Sequence, residues 1–107
     1  MGGAIFSTGG PLAQDQAGNV YLSDRKNGVI RRIDAQTGVI STIWRGGCPG
    51  AIVVDSRQQL FAADSCEGHR VIKINLASGE SSLIKGFTDA GGGIAVDSRG
   101  NVYVSEH

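Results

Sequence analysis

The sequence predicts an all-β chain assembled from tandem four-stranded antiparallel sheets, and three observations lead there. Three segments of the 107-residue chain, Pro11–Asp24, Ala51–Asp64 and Gly93–Glu106, align with one another. Their marker acids Asp15, Asp55 and Asp97 lie 40 and 42 residues apart. Each is followed nine residues later by a second acid (Asp24, Asp64, Glu106), and Tyr21, Phe61 and Tyr103 share one slot. The 17 glycines, more than twice the usual share of about 7%, are spread between short β-rich runs, as tight turns require. No stretch carries helical periodicity or cap signals long enough to compete.

Each repeat reads the same way from its first strand onward. A short apolar run (Ile52–Val54, Ile94–Val96) ends at an Asp that can hydrogen-bond its own turn backbone. Gly18-Asn19 or Gly100-Asn101 follows, with glycine supplying the positive φ of a hairpin. The second strand, Val20–Ser23 or Val102–Ser105, alternates at period two. The third, Val29–Ile33 or Val71–Ile74, alternates again, placing Val29, Arg31 and Ile33 on one face and Ile30 and Arg32 on the other. A Thr37-Gly38 or Ser78-Gly79 turn leads into the fourth, Val39–Trp44 or Glu80–Lys85.

Four antiparallel strands in tandem, at a period near forty residues, point to β-propeller blades. The chain then holds about two and a half of them. Residues 1–8 contain the last strand of a preceding blade (Ala4–Thr8), 9–46 form one blade, 47–86 a second, and 87–107 the first two strands of a third. A sandwich of irregular strands is the competing reading, and a β-solenoid fits less well because its coils are usually shorter.

The stretches Gly93-Ile-Ala-Val-Asp-Ser-Arg-Gly-Asn-Val-Tyr-Val-Ser and Gly68-His-Arg-Val-Ile-Lys-Ile-Asn resemble the hallmark phrases of the NHL repeat, over nearly the whole chain. The resemblance implies a propeller, commonly of six blades, that serves as a binding platform for protein, RNA or ligand. Related six-bladed propellers include peptide-amidating lyases, gluconolactonase-like hydrolases and streptogramin lyases, so fold analogy does not choose among activities. A six-bladed ring at this period needs roughly 240 residues. The chain is therefore expected either to be a piece of a longer propeller or to complete a ring with copies of itself, because each repeat can bury its apolar face only against a neighbour. The third strand of the broken blade, which simple assembly would need, appears nowhere in the sequence.

The two cysteines follow from the hairpin register. If Val54 pairs with Leu60, Cys48 falls opposite Cys66 at the open end of the hairpin, within disulfide reach. Such a bridge implies an oxidising compartment, hence an extracytoplasmic or secreted protein; two free thiols on a cytosolic rim are the alternative. The spacing does not suit zinc. Asp24, Asp64 and Glu106 end the second strands on the Cys48 side, where a ring of acids at the channel rim could hold a divalent cation such as calcium in a complete propeller. Lactonase-like relatives carry a metal at the top of the channel, but their ligands are not recognisable here, and no resident cofactor is expected. Trp44 beside Arg45 is a candidate aromatic–Arg anchor for a partner, although packing against the next blade explains the tryptophan more simply. His69 is a candidate partner-binding residue too, yet Gly-His-Arg-Val belongs to the repeat phrase of the resembled family. His107, after Ser105-Glu106, is similar to a Thr/Ser-Glu-His phrase of streptogramin lyase-like propellers.

Charge narrows the partners. Ten basic and ten acidic residues cancel, against the clustered Lys/Arg that grips nucleic acid or an anionic membrane surface. No apolar run reaches the roughly 18–20 residues of a membrane span, and the N-terminal residues show no signal-peptide pattern. No Ser/His/Asp set, phosphate loop or nucleotide motif is present. The expectation is a non-catalytic platform for a protein or small-molecule ligand. A fragment of a propeller lyase or lactonase-like hydrolase is the alternative, and a self-assembling structural fragment the third.

Overall fold

The computed structural model describes residues 11–64, 66, 70–85 and 93–104. The strand expected at Ala4–Thr8, and the residues His69, Ser105, Glu106 and His107, lie outside them. The described residues are all-β with antiparallel pairing and no helix. Strands β1 (Leu12–Gln14), β2 (Val20–Asp24), β3 (Val29–Ile33) and β4 (Ile40–Arg45) form one sheet in sequence order. Strands β5 (Pro49–Val54), β6 (Gln59–Asp64), β7 (Arg70–Asn75) and β8 (Ser81–Ile84) form a second, and β9 (Ile94–Val96) pairs with β10 (Val102–Val104) in a third.

The turns arise from the recurrent acids. The Asp15, Asp55 and Asp97 carboxylates each accept hydrogen bonds from backbone amides two and four residues on, at 2.8 to 3.0 Å. Each turn needs a left-handed residue three positions after the acid. Gly18 (φ 92°) and Gly100 (φ 87°) supply it, whereas the middle repeat places Gln58 there at φ 64°. A side chain in that region costs roughly 1–2 kcal/mol. In the flanking repeats the second carboxylate oxygen also takes a tyrosine hydroxyl, Tyr21 to Asp15 at 2.8 Å and Tyr103 to Asp97 at 2.9 Å. Phe61 has no hydroxyl to give.

Strand ends depart from the sequence reading for definable reasons. The fourth strands begin one residue later than expected because Val39 and Glu80 belong to the turns. Their amides donate to Thr37 Oγ1 and Ser78 Oγ, and their carbonyls accept from Asp34 and Asn75. β5 begins earlier, at Pro49, through a bulge: Val54 pairs with Leu60 and Ile52 with Ala62, but Pro49 pairs with Asp64. A proline is tolerated as the first residue of an edge strand, where no ladder donor is required. A second bulge shifts β4 against β3 between Ile30 and Arg31.

Two apolar clusters hold the sheets together. In the first, Ala13, Tyr21 and Ile30 of the first sheet meet Ile52, Leu60, Ala62, Ile72 and Ile74 of the second. In the second, Val53, Phe61 and Val71, from the opposite face of the second sheet, meet Ile94, with Val96, Val102 and Val104 packed alongside. Period-two alternation thus sends alternate residues of β6 to opposite neighbours. Ser23 Oγ adds a 2.7 Å hydrogen bond to the Gly50 carbonyl across the first contact. Packing between sheets runs through the first and second strands: β5 lies on β1 and β2, and β9 on β5 and β6.

Leu60→Ala, which empties a fully buried site between the first two sheets, should cost about 2–5 kcal/mol in urea unfolding. Gln58→Gly should raise stability by about 0.5–1 kcal/mol in the same measurement, because relief of the left-handed side chain exceeds the added chain entropy.

Candidate functional site

One end of the first two sheets collects the groups with the most chemistry. Three pieces of chain converge there: the β4–β5 connection at Gly46–Cys48, the end of β6 and the start of β7. At their centre lies the Asp64 carboxylate, which is fully buried. Its Oδ2 accepts from Arg70 Nε at 2.7 Å, and its Oδ1 accepts from the amides of Cys48 and Cys66, each at 3.1 Å. Arg70 also donates to the Gly46 carbonyl at 3.4 Å. Burial pushes the Asp64 pKa up, but the Arg70 hydrogen bond and the two amides outweigh it and hold the group below its ordinary value.

The same carboxylate fixes the cysteines. Cys48 and Cys66 stand at disulfide distance, their Cα atoms 5.2 Å apart. The hairpin ladder alone does not place them, since the β5 bulge has shifted the register by Pro49. The two amides gathered on one Asp64 oxygen bring the cysteines back together. Glycine is required next to them: a Cβ on Gly47 would collide with the Asp64 carboxylate, meeting its Cγ at 3.0 Å.

The first sheet repeats the motif in a looser form. Asp24 accepts from Arg31 Nε at 3.0 Å and from the amide and side chain of Asn27 at 3.2 and 2.9 Å. The Asn27 and Arg31 bonds lower its pKa. This pair is partly exposed, whereas Arg70–Asp64 is largely shielded. The β2–β3 turn abuts the β4–β5 connection, with the Gly46 amide donating to the Gly28 carbonyl at 3.0 Å.

The candidates named from the sequence are distributed as follows. Cys48, Cys66 and Asp64 come together in one knot, and Asp24 sits at the same end in its own ion pair with Arg31. Trp44 is half-buried, opposite Ile30 in the ladder and packed against the first apolar cluster, while its neighbour Arg45 is exposed. His69 and Glu106 lie outside the described residues. Among the described residues, no group of three or more His, Cys, Asp or Glu side chains is placed to hold a metal ion. Arg31, Arg70 and Gly47 were not singled out from sequence. The available signal was an arginine in each third strand, seven and six residues after the acid that closes the second.

No known family matches this sequence, and no curated protein matches it either.

Asp64→Asn should cost about 3–5 kcal/mol, because it strands Arg70 in a shielded site; Asp24→Asn, in the partly exposed pair, should cost far less, and paired denaturation curves would compare them. A reductant should lower stability by about 3 kcal/mol, the contribution of closing a loop of this length, with two thiols becoming titratable only after reduction. Asp15, Asp24, Asp34, Asp64 and Asp97 all have depressed pKa values, Asp97 at about 2 through its Asn101 hydrogen bonds. Their stabilisation is complete above about pH 4 and should be lost progressively as pH falls towards 2, visible as a falling Tm across that window.

Proposed function

We propose that this chain is a segment of an NHL-like β-propeller that acts as a non-catalytic platform for a protein or small-molecule ligand, in an oxidising compartment outside the cytoplasm. The observation that supports it is the state of the acids at the disulfide end. Asp24 and Asp64 are each engaged by an arginine and pushed below the ordinary carboxylate range, so both are ionised structural groups near neutral pH. A general acid or base needs the opposite tuning, a pKa raised towards the working pH. Held this way, the turns and the exposed Arg45 make a firm, charged rim.

The propeller reading draws support from the packing. Consecutive sheets stack face to face, with contact concentrated at their first and second strands, as blades converging on an axis would pack. The Cys48–Cys66 pair is compatible with an extracytoplasmic location. Further blades, from a longer chain or from copies of this one, would complete the ring, and a divalent cation such as calcium belongs to that complete assembly.

Panning a displayed random-peptide library on the oxidised chain tests the platform. Selected peptides should bind the folded chain, and Arg45→Ala should weaken them roughly tenfold or more without changing the melting curve. Hydrolysis of a lactone probe above background in calcium buffer, abolished by chelation, would reject the non-catalytic reading in favour of a lactonase-like hydrolase.

A further inference from the structure

The middle repeat breaks a hydrogen-bond pattern that its neighbours share, and it does so beside a cleft. In the first and third repeats both oxygens of the turn acid are engaged. Oδ1 of Asp15 and of Asp97 accepts two backbone amides. Oδ2 accepts the side-chain amide of Asn19 or Asn101 and the hydroxyl of Tyr21 or Tyr103. Asp55 keeps only the first half: its Oδ1 accepts from the amides of Arg57 and Gln59, both at 2.9 Å. The two side chains that would serve its Oδ2 are replaced by Gln59 and Phe61. Among the described residues, Asp55 Oδ2 accepts no hydrogen bond and Asp55 joins no ion pair, although the residue is half-buried. Arg57 does not serve it, since its guanidinium lies against the Gly100 turn of the third repeat. A carboxylate oxygen in a partly dry place is costly to leave without a donor.

Asp55 lines two clefts between sheets. The smaller, about 240 Å³, lies towards Gln14 and Gln16 of the first repeat, and the larger, about 530 Å³, separates the second sheet from the third. The larger is on the side of the unpartnered oxygen. In both neighbouring repeats Oδ2 is the oxygen next to the aromatic, and Phe61 belongs to the face of the second sheet that meets the third. The walls of this cleft are Val53 and Val54 of β5 and Ile94 and Val96 of β9. Ser56 and Ser98 add a hydroxyl on either side, and the Asp97 carboxylate that also lines it is already saturated by its own turn.

We propose that this cleft binds an alkylammonium group, its nitrogen on Asp55 Oδ2 and its aliphatic stem between the β5 and β9 walls. A single ionised oxygen suits one N⁺–H donor, and apolar walls suit methylenes. A metal ion would want several oxygens, and among the described residues no three such ligands assemble. A free amine and a lysine side chain present the same group. The site lies at the opposite end of β5 and β6 from the Cys48–Cys66 knot and Arg45, so the inference goes beyond the platform reading and does not depend on it.

Pentylammonium chloride, titrated at low ionic strength, should give saturable NMR shifts at the amides of Asp55, Ser56 and Ser98, while 1-pentanol should not. Asp55→Asn, whose amide oxygen can still cap the turn, should weaken binding roughly tenfold or more. Phe61→Tyr leaves the carboxylate in place and puts a hydroxyl where Tyr21 and Tyr103 have theirs. It should weaken binding roughly tenfold as well, with a melting temperature equal to or above that of the wild type. N-acetyl-lysine methylamide binding more tightly than pentylammonium assigns the group to a peptide side chain, and the reverse order assigns it to a free amine. Absence of saturable shifts at the cleft overturns the proposal, as does pentanol binding equally well or a Phe61→Tyr variant with wild-type affinity for pentylammonium. Arg45→Ala should leave this affinity unchanged, so failure here and failure of the peptide-panning experiment are separate results.

Discussion

A β-sheet with two apolar faces cannot stand in water alone, and the rest of this structure follows from that constraint. The second sheet presents Ile52, Leu60, Ala62, Ile72 and Ile74 on one side and Val53, Phe61 and Val71 on the other. Both sides are covered, and Ile52, Leu60, Ala62, Val71 and Ile72 of this sheet are fully buried. Among the described residues, each flanking sheet packs against the second sheet through one face. Position in the stack, more than residue type, therefore decides burial: tyrosine in the same repeat slot is buried at position 21 and open at 103. Stability in such an array is a sum of unit and neighbour terms, and the second sheet takes part in both of the inter-sheet contacts among the described residues.

That asymmetry matches where the sequence departs from its own repeat. The middle hairpin lacks the turn glycine, carrying Gln58 in a left-handed conformation, and its aromatic is Phe61 without a hydroxyl for the turn acid. Locally it is the weakest of the three turns. It is also the unit with most burial and with the Cys48–Cys66 pair and the shielded Arg70–Asp64 bridge at its other end. The strained hairpin persists because packing on both faces over-determines it.

The knot around Asp64 shows how one buried charge can organise a loop. Leaving a carboxylate in a dry site is costly unless its oxygens are engaged, and here an arginine and two amides engage them. The arrangement ties the β4–β5 connection to the far end of the next hairpin and holds the cysteines within bonding distance. The looser Asp24–Asn27–Arg31 version in the first sheet performs the same capping without a bridge. At this end the two sheets therefore present turns fixed by ionised groups, suited to holding a surface still.

The residues by themselves determined the class, the order and most of the local register. Alternation at period two, the acids Asp15, Asp55 and Asp97, and the turn glycines are short-range signals, and short-range hydrogen bonds satisfy them. The Val54–Leu60 pairing was legible for the same reason. Only the tertiary structure decided the rest. The bulge at Pro49, the burial of Asp64, the role of Arg70 and the half-buried placement of Trp44 all depend on which segments meet across sheets. A repeat motif looks alike in every copy, whereas burial depends on the neighbour, and neighbours are set by long-range packing that no single window of sequence contains.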